Sequence, residues 1–147
     1  INKVAYVIAI LTVLGGIDSL IVPAIMMAGM MPPLVVASSA LMFKNKYSIE
    51  DQALTKTNWL LGLSFITEGA ISFVKKSRLT KIIVLISSMT AAIMTVVFEV
   101  SSLVVHGGIF SVFFMHNALS FLLILIGASL VFGFILGTIL PKCEKEM

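Results

Sequence analysis

Residues 118–140 hold no charged side chain, and neither do residues 20–43. At 1.5 Å per residue a helix of either length is about 35 Å long, enough to cross the roughly 30 Å hydrocarbon core of a bilayer. Runs of this kind constrain the chain more than any motif does. A backbone in hydrocarbon must pair its own N–H and C=O groups, which leaves only helices or a closed barrel. The 147 residues are 59% hydrophobic and 12% charged, whereas soluble domains carry about a quarter charged residues. The sequence therefore predicts an all-α integral membrane protein with room for about four spans. Its ten basic residues lie in loops and at the ends, so no basic face can follow a nucleic-acid backbone. Cys143 is the one cysteine, which excludes an internal disulfide or a thiolate metal centre.

The remaining apolar sequence is interrupted. Residues 4–43 read as broken helices, because Asp18 divides them and Pro32 with Pro33 removes two consecutive backbone donors. The chain starts Ile1-Asn2-Lys3 and runs into apolar sequence without a cleavage region, which reads as an interior fragment or a chain whose first residues are absent rather than a secretory signal. Ala37-Ser38-Ser39-Ala40 offers a small-residue face for close helix contact, and Gly127, Ser129, Gly133 and Gly137 offer another. Residues 44–57 form the polar loop, with Ser48 positioned to cap a short surface helix. Residues 82–100 and 118–140 are full spans. Residues 101–117 contain no lysine or arginine and read as an outer loop or re-entrant piece.

Lysine and arginine mark cytoplasmic loops. Residues 44–56, 75–81 and 142–145 all claim that side. Two spans separate the second cluster from the third, so parity closes there. Only residues 58–74 separate the first from the second, and a single crossing would put them on opposite sides. This segment is therefore expected to enter and return as a re-entrant hairpin, with Thr67-Glu68-Gly69 near its tip. Glu68 is the only charged residue between Lys56 and Lys75, and an ionisable group in such a setting marks a functional site by default.

The stretch Leu61-Gly62-Leu63-Ser64-Phe65-Ile66-Thr67-Glu68-Gly69-Ala70-Ile71-Ser72-Phe73 resembles the signature of the fructose-type permease domain, enzyme IIC, of the bacterial phosphoenolpyruvate-dependent phosphotransferase system. Three further pieces resemble it in the same order: Asn2-Lys3-Val4-Ala5-Tyr6, Met27-Ala28-Gly29-Met30-Met31-Pro32-Pro33-Leu34, and His106-Gly107-Gly108-Ile109-Phe110. Ser72 and Val105 stand where the family usually has proline. The resemblance implies a single membrane domain over residues 1–147, the C-terminal, substrate-binding part of a longer permease of the bacterial cytoplasmic membrane. It implies passage of fructose, or a related hexose or hexitol, while a cytoplasmic IIB domain phosphorylates the sugar. IIB would itself be charged by IIA, HPr and enzyme I. It also implies a homodimer among membrane lipids, with the phosphoryl-carrying residues outside this chain and no cofactor.

A sugar site of this kind uses a few polar groups in an apolar pocket. Glu68 is the leading candidate, as a charge-assisted acceptor for sugar hydroxyls that also orients the phosphoryl acceptor; the alternative is a structural carboxylate bonded to Thr67, Asn58 or free backbone N–H groups. His106 with Gly107 and Gly108 offers a ring donor and accessible backbone amides, and Asn58 and Thr67 complete the set. If residues 101–115 enter from the outer side, they carry His106 toward Glu68. His106 and His116 with one acid have no metal-ligand spacing. A competing reading is a truncated, transport-inactive permease-like protein acting as partner or regulator of an intact permease.

Overall fold

The computed structural model describes residues 7, 10, 11, 19–104 and 108–141. Asp18, His106, Gly107, Cys143 and the first motif, residues 2–6, lie outside them. Five α-helices order the described part: α1 Ile21–Met42, α2 Ile49–Leu63, α3 Ile71–Lys76, α4 Arg78–Val97 and α5 Ala118–Ile139. Short 3-10 helices at Lys44–Lys46, Thr67–Ala70 and Gly108–Phe114 join or interrupt them.

Helix α1 is the axis, packed against α2, α4, α5 and the Thr67–Ala70 turn. It is enclosed along most of its length; Met26, Met27, Met30, Met31, Val35 and Val36 have no exposed surface. A helix covered on every side can be apolar all round, as the uncharged sequence of residues 20–43 is. The expected break at Pro32–Pro33 is absent, and α1 runs as one helix through both prolines. The two rings delete only the amides that would have reached the carbonyls of Ala28 and Gly29. Both prolines are buried, and the helices around them hold the axis together.

The polar loop expected over residues 44–57 is mostly helix. Ser48 Oγ accepts the Asp51 N–H at 3.1 Å, and Glu50 and Asp51 sit favourably in the first turn of α2. The chain then runs antiparallel to α1, turns at residues 64–70 and returns through α3. Lys76 Nζ meets Asp51 Oδ1 at 2.7 Å, so the excursion closes at the end where it began. Ser72 lies in the first turn of α3, where a proline's missing N–H would leave no intrahelical bond unmade, and the return arm forms without it.

Helix α4 begins at Arg78, earlier than residue 82, because Ser77 Oγ accepts the Thr80 N–H at 3.3 Å and starts the helix directly after α3. Helix α5 follows the expected 118–140 closely. Gly133 packs on Ser38 and the Ser39 amide, but Gly127 faces away from α1, so the glycines do not form one stripe. The link between α4 and α5 is closed by two short strands, β1 Ser101–Ser102 and β2 Met115–His116, paired Ser101 to His116. Ser102 also pairs with Ser19 below the start of α1.

The two ends of the bundle differ in charge. Lys46 Nζ donates to Thr138 O at the end of α5 at 3.0 Å, which places the end of α1, both ends of the hairpin, the start of α4 and the end of α5 together. All seven lysines and arginines among the described residues lie at or within about two turns of that end. The opposite end carries Glu99 and His116.

Candidate functional site

The site is built on the turn between α2 and α3. Helix α2 ends with Ile66 N–H bonded to Leu61 O at 2.8 Å and Phe65 N–H bonded to Gly62 O at 3.1 Å, the paired arrangement that closes many helices. It requires a left-handed residue, normally glycine; here it is Phe65, with φ 64°. A left-handed non-glycine costs about 1–2 kcal/mol. The Phe65 ring offsets this by lying on Gly29 of α1, in the space a side chain at position 29 would fill. One helical turn onward, Gly62 lets α2 approach Leu34 and the Pro33 ring.

Thr67 follows, and its Oγ1 donates to Gly29 O at 3.0 Å. That carbonyl is one of the two left without an amide by the prolines. Gly29 is the ninth residue of the twenty-two in α1, so the turn sits about 12 Å from one end of the axis and about 20 Å from the other. Glu68 comes next in the 3-10 turn, with its side chain exposed on the surface of this chain. Asn58, on α2 beneath the turn, is 2% exposed, and its Nδ2 has no hydrogen-bond partner among the described residues. A side chain at Gly69 would lie 2.6 Å from Asn58 Oδ1, so the turn covers the asparagine closely.

From the other end comes the Gly108–Phe114 segment. Gly108 has φ +57° and rests on Leu63 O and Ser64, with no space for a β-carbon. Ser111 Oγ donates to Gly108 O at 2.6 Å and lies 3.7 Å from Met26 Sδ of α1. Two excursions from opposite ends of the bundle thus meet beside the middle of α1. Of the six residues singled out in the sequence, Glu68, Thr67, Asn58 and Gly108 gather here; His106 and Gly107 lie outside the described residues. Their roles differ. Glu68 presents an exposed carboxylate, Thr67 gives its donor to Gly29, and Asn58 is sealed beneath the turn. Sequence reading missed Gly29, Phe65 and Pro33 as parts of the site; the signal available was that a proline at position 33 frees the carbonyl four residues earlier.

A groove of about 430 Å³ lies elsewhere, between α4 and α5. Thr90, Met94, Leu123, Gly127 and Phe132 line it, and it offers almost no polar group to a sugar. Among the described residues no group of histidine, cysteine and acidic side chains could hold a metal ion.

Among the described residues three helices, α1, α4 and α5, are long and apolar enough to cross a membrane. An all-α membrane protein with a polar turn set against the middle of its central helix is the class these features define. Comparison with known proteins narrows it. The chain is 34% identical to the fructose permease IIC component of Bacillus amyloliquefaciens over 84% of its own length and 40% of the relative's. It is 34% identical to the fructose-specific EIIC component of Haloferax volcanii over its whole length and 39% of that protein. It is also 34% identical to the fructose-specific EIIABC component of Bacillus subtilis over 83% of the chain and 20% of that protein. The chain is therefore a relative of the fructose-type IIC permease domain, and spans well under half the length of these curated relatives. No family model and no solved structure matches it.

Proposed function

We propose that this chain is the C-terminal, sugar-binding part of a phosphotransferase-system permease, which carries fructose or a related hexose or hexitol inward while a cytoplasmic IIB domain phosphorylates it. In this reading α2 and α3 form a re-entrant hairpin entering from the cytoplasmic side. The carboxylate of Glu68 accepts two sugar hydroxyls and orients the one that receives phosphate. The loop carrying His106, Gly107 and Gly108 closes the site from the outer side. IIB and IIA are the protein partners, as the EIIABC and EIIB'BC names of several relatives suggest. The setting is a multi-pass protein of the bacterial cytoplasmic membrane, dimeric in the complete permease.

The observation that carries this reading is the position of Glu68. An exposed carboxylate one residue from a hydrogen bond to mid-α1 would lie deep in hydrocarbon unless a cavity or ligand faced it, and isolated acids at that depth are costly. The charge distribution supports the sidedness: the basic end, to which the hairpin returns, is the end that the positive-inside rule assigns to the cytoplasm. The chain's own residues supply binding and orientation; the phosphoryl group comes from outside it.

Titration of the lipid-reconstituted chain with radiolabelled fructose tests the reading. Saturable binding is expected, with Glu68→Gln weakening it about tenfold or more, as befits loss of hydrogen bonds to a charged acceptor. No saturable binding by the wild type, or unchanged binding by the variant, overturns it.

A further inference from the structure

One carbonyl connects three residues that the sequence keeps far apart. In an uninterrupted helix the carbonyl of Gly29 would receive the amide of residue 33. Proline stands there and has none, and Thr67 Oγ1 donates to this carbonyl at 3.0 Å. Pro32 frees the carbonyl of Ala28 in the same way, but the Thr67 hydroxyl goes to Gly29. The neighbouring contacts converge on the same spot. The Phe65 ring covers Gly29, and Gly62 approaches Pro33 so closely that a β-carbon there would lie 3.2 Å from its Cγ.

A hydroxyl has one proton to donate. With that proton on Gly29, Thr67 keeps only acceptor lone pairs for any ligand. We propose that Thr67 acts as a positioning residue: it latches the Thr67–Ala70 turn to the carbonyl that Pro33 leaves open, and so fixes where Glu68 stands. Pro33 is then half of the latch, the residue that makes α1 accept a hydroxyl instead of its own amide. The latch itself rests on the geometry; its consequence for sugar binding rests on the reading of Glu68 given above. If the turn adopts its binding-competent position only part of the time, the apparent dissociation constant rises by the reciprocal of that fraction.

The experiment reads two quantities on the lipid-reconstituted chain: hydrogen exchange of the backbone over residues 62–73 without sugar, and the fructose dissociation constant. Thr67→Val keeps the shape and removes the donor. It is expected to speed exchange across the turn and raise the dissociation constant, each by up to about tenfold, the scale of one net intramolecular hydrogen bond. Thr67→Ser restores both to within about twofold of wild type, since the hydroxyl returns. Pro33→Ala supplies the missing amide to Gly29 and favours the helix, so it speeds exchange of the turn by competing for the carbonyl without threatening the fold. In that background Thr67→Val adds little. Pro32→Ala, which restores an amide to Ala28 only, leaves the full Thr67→Val effect in place.

Unchanged exchange in Thr67→Val overturns the latch. So does an effect of Thr67→Val that is as large in the Pro33→Ala background as in wild type, because the two residues then act independently. If exchange follows the expected pattern but wild type binds no fructose, the latch stands and the sugar reading falls.

Discussion

Helices α2 and α4 end in the same way and lead to different places. Each closes with a crossed pair of hydrogen bonds: Ile66 to Leu61 and Phe65 to Gly62 in one, Val100 to Thr95 and Glu99 to Val96 in the other. Each puts a non-glycine residue in the left-handed region, Phe65 with φ 64° and Glu99 with φ 51°. After Glu99 the chain leaves at the end of the bundle, where Asn117 Nδ2 reaches the carbonyls of Phe98 and Glu99 and the β1–β2 pair closes the link to α5. After Phe65 it turns back half-way along α1 and presents Thr67 and Glu68 there. The local motif is common property; its surroundings decide its use. Strain at Glu99 has no evident compensation beyond the cap, whereas strain at Phe65 is repaid by a ring seated on Gly29, and strained residues of that kind collect at functional sites.

The comparison can be broken outright by labelling. With the native Cys143 replaced, single cysteines at Lys56 and Lys75 are expected to react with a membrane-impermeant reagent from one face and a cysteine at Glu99 from the other. Opposite faces for Lys56 and Lys75 would make α2 and α3 a full crossing and abolish the distinction between the two turns.

Substitution by glycine sharpens the contrast, because it relieves the left-handed conformation in both caps. Phe65→Gly also deletes the ring on Gly29 and is expected to lower stability by about 2 kcal/mol, the loss of a half-buried aromatic less the relieved strain. Glu99→Gly loses no packing and is expected to raise stability by up to about 1 kcal/mol. Thermal unfolding in detergent reads both. A destabilised Glu99→Gly would show that this cap has a partner the left-handed geometry does not reveal.

The base of the hairpin gives smaller effects. Tyr47, just before α2, is buried against Phe73 with ring centroids 6.2 Å apart, and its hydroxyl has no hydrogen-bond partner among the described residues. Burial pushes its phenol up from 10.0 to about 12; Ser39, close by without an ordinary hydrogen bond, offsets part of this, and the charge of Asp51 adds to it. A raised acid is stabilising while protonated, so its contribution is complete below pH 10 and is lost as pH rises through about 12. Tyr47→Phe is expected to remove that alkaline loss of stability, while pH 7 stability stays level or rises because no unpaired hydroxyl is buried. A pH profile unchanged by the substitution would place the alkaline transition elsewhere. Smallest of all, Lys76→Ala breaks the Asp51 pair. With Lys76 58% exposed the expected cost is below about 1 kcal/mol and shrinks in high salt.

Much of this arrangement is legible in the residues. The uncharged runs of residues 20–43 and 118–140 foretell α1 and α5, because length and lack of charge suffice for that. Charge parity leads to the expectation that residues 58–74 return to the side they left; what the structure adds is that the first arm starts at Ile49, where Ser48 supplies the cap, and that Lys76 at the end of α3 meets Asp51 at the start of that arm. The prolines mislead for a physical reason. The propensity against proline in a helix interior is a local cost, and in α1 it is met by burial on all sides and by a hydroxyl arriving from residue 67, thirty-eight positions away. Nothing within one window of sequence reports such a partner.

The sequence by itself determined the membrane class, the polarity of the two ends and the singular position of Glu68, since these depend on composition and on the cost of charge in hydrocarbon. Only the tertiary structure decided that α1 is unbroken, that Thr67 serves the helix, that Asn58 is sealed beneath the turn and that Gly108 arrives from the far end to meet it. Each of those is a contact between distant segments, fixed by which surfaces can pack together rather than by what any residue prefers alone.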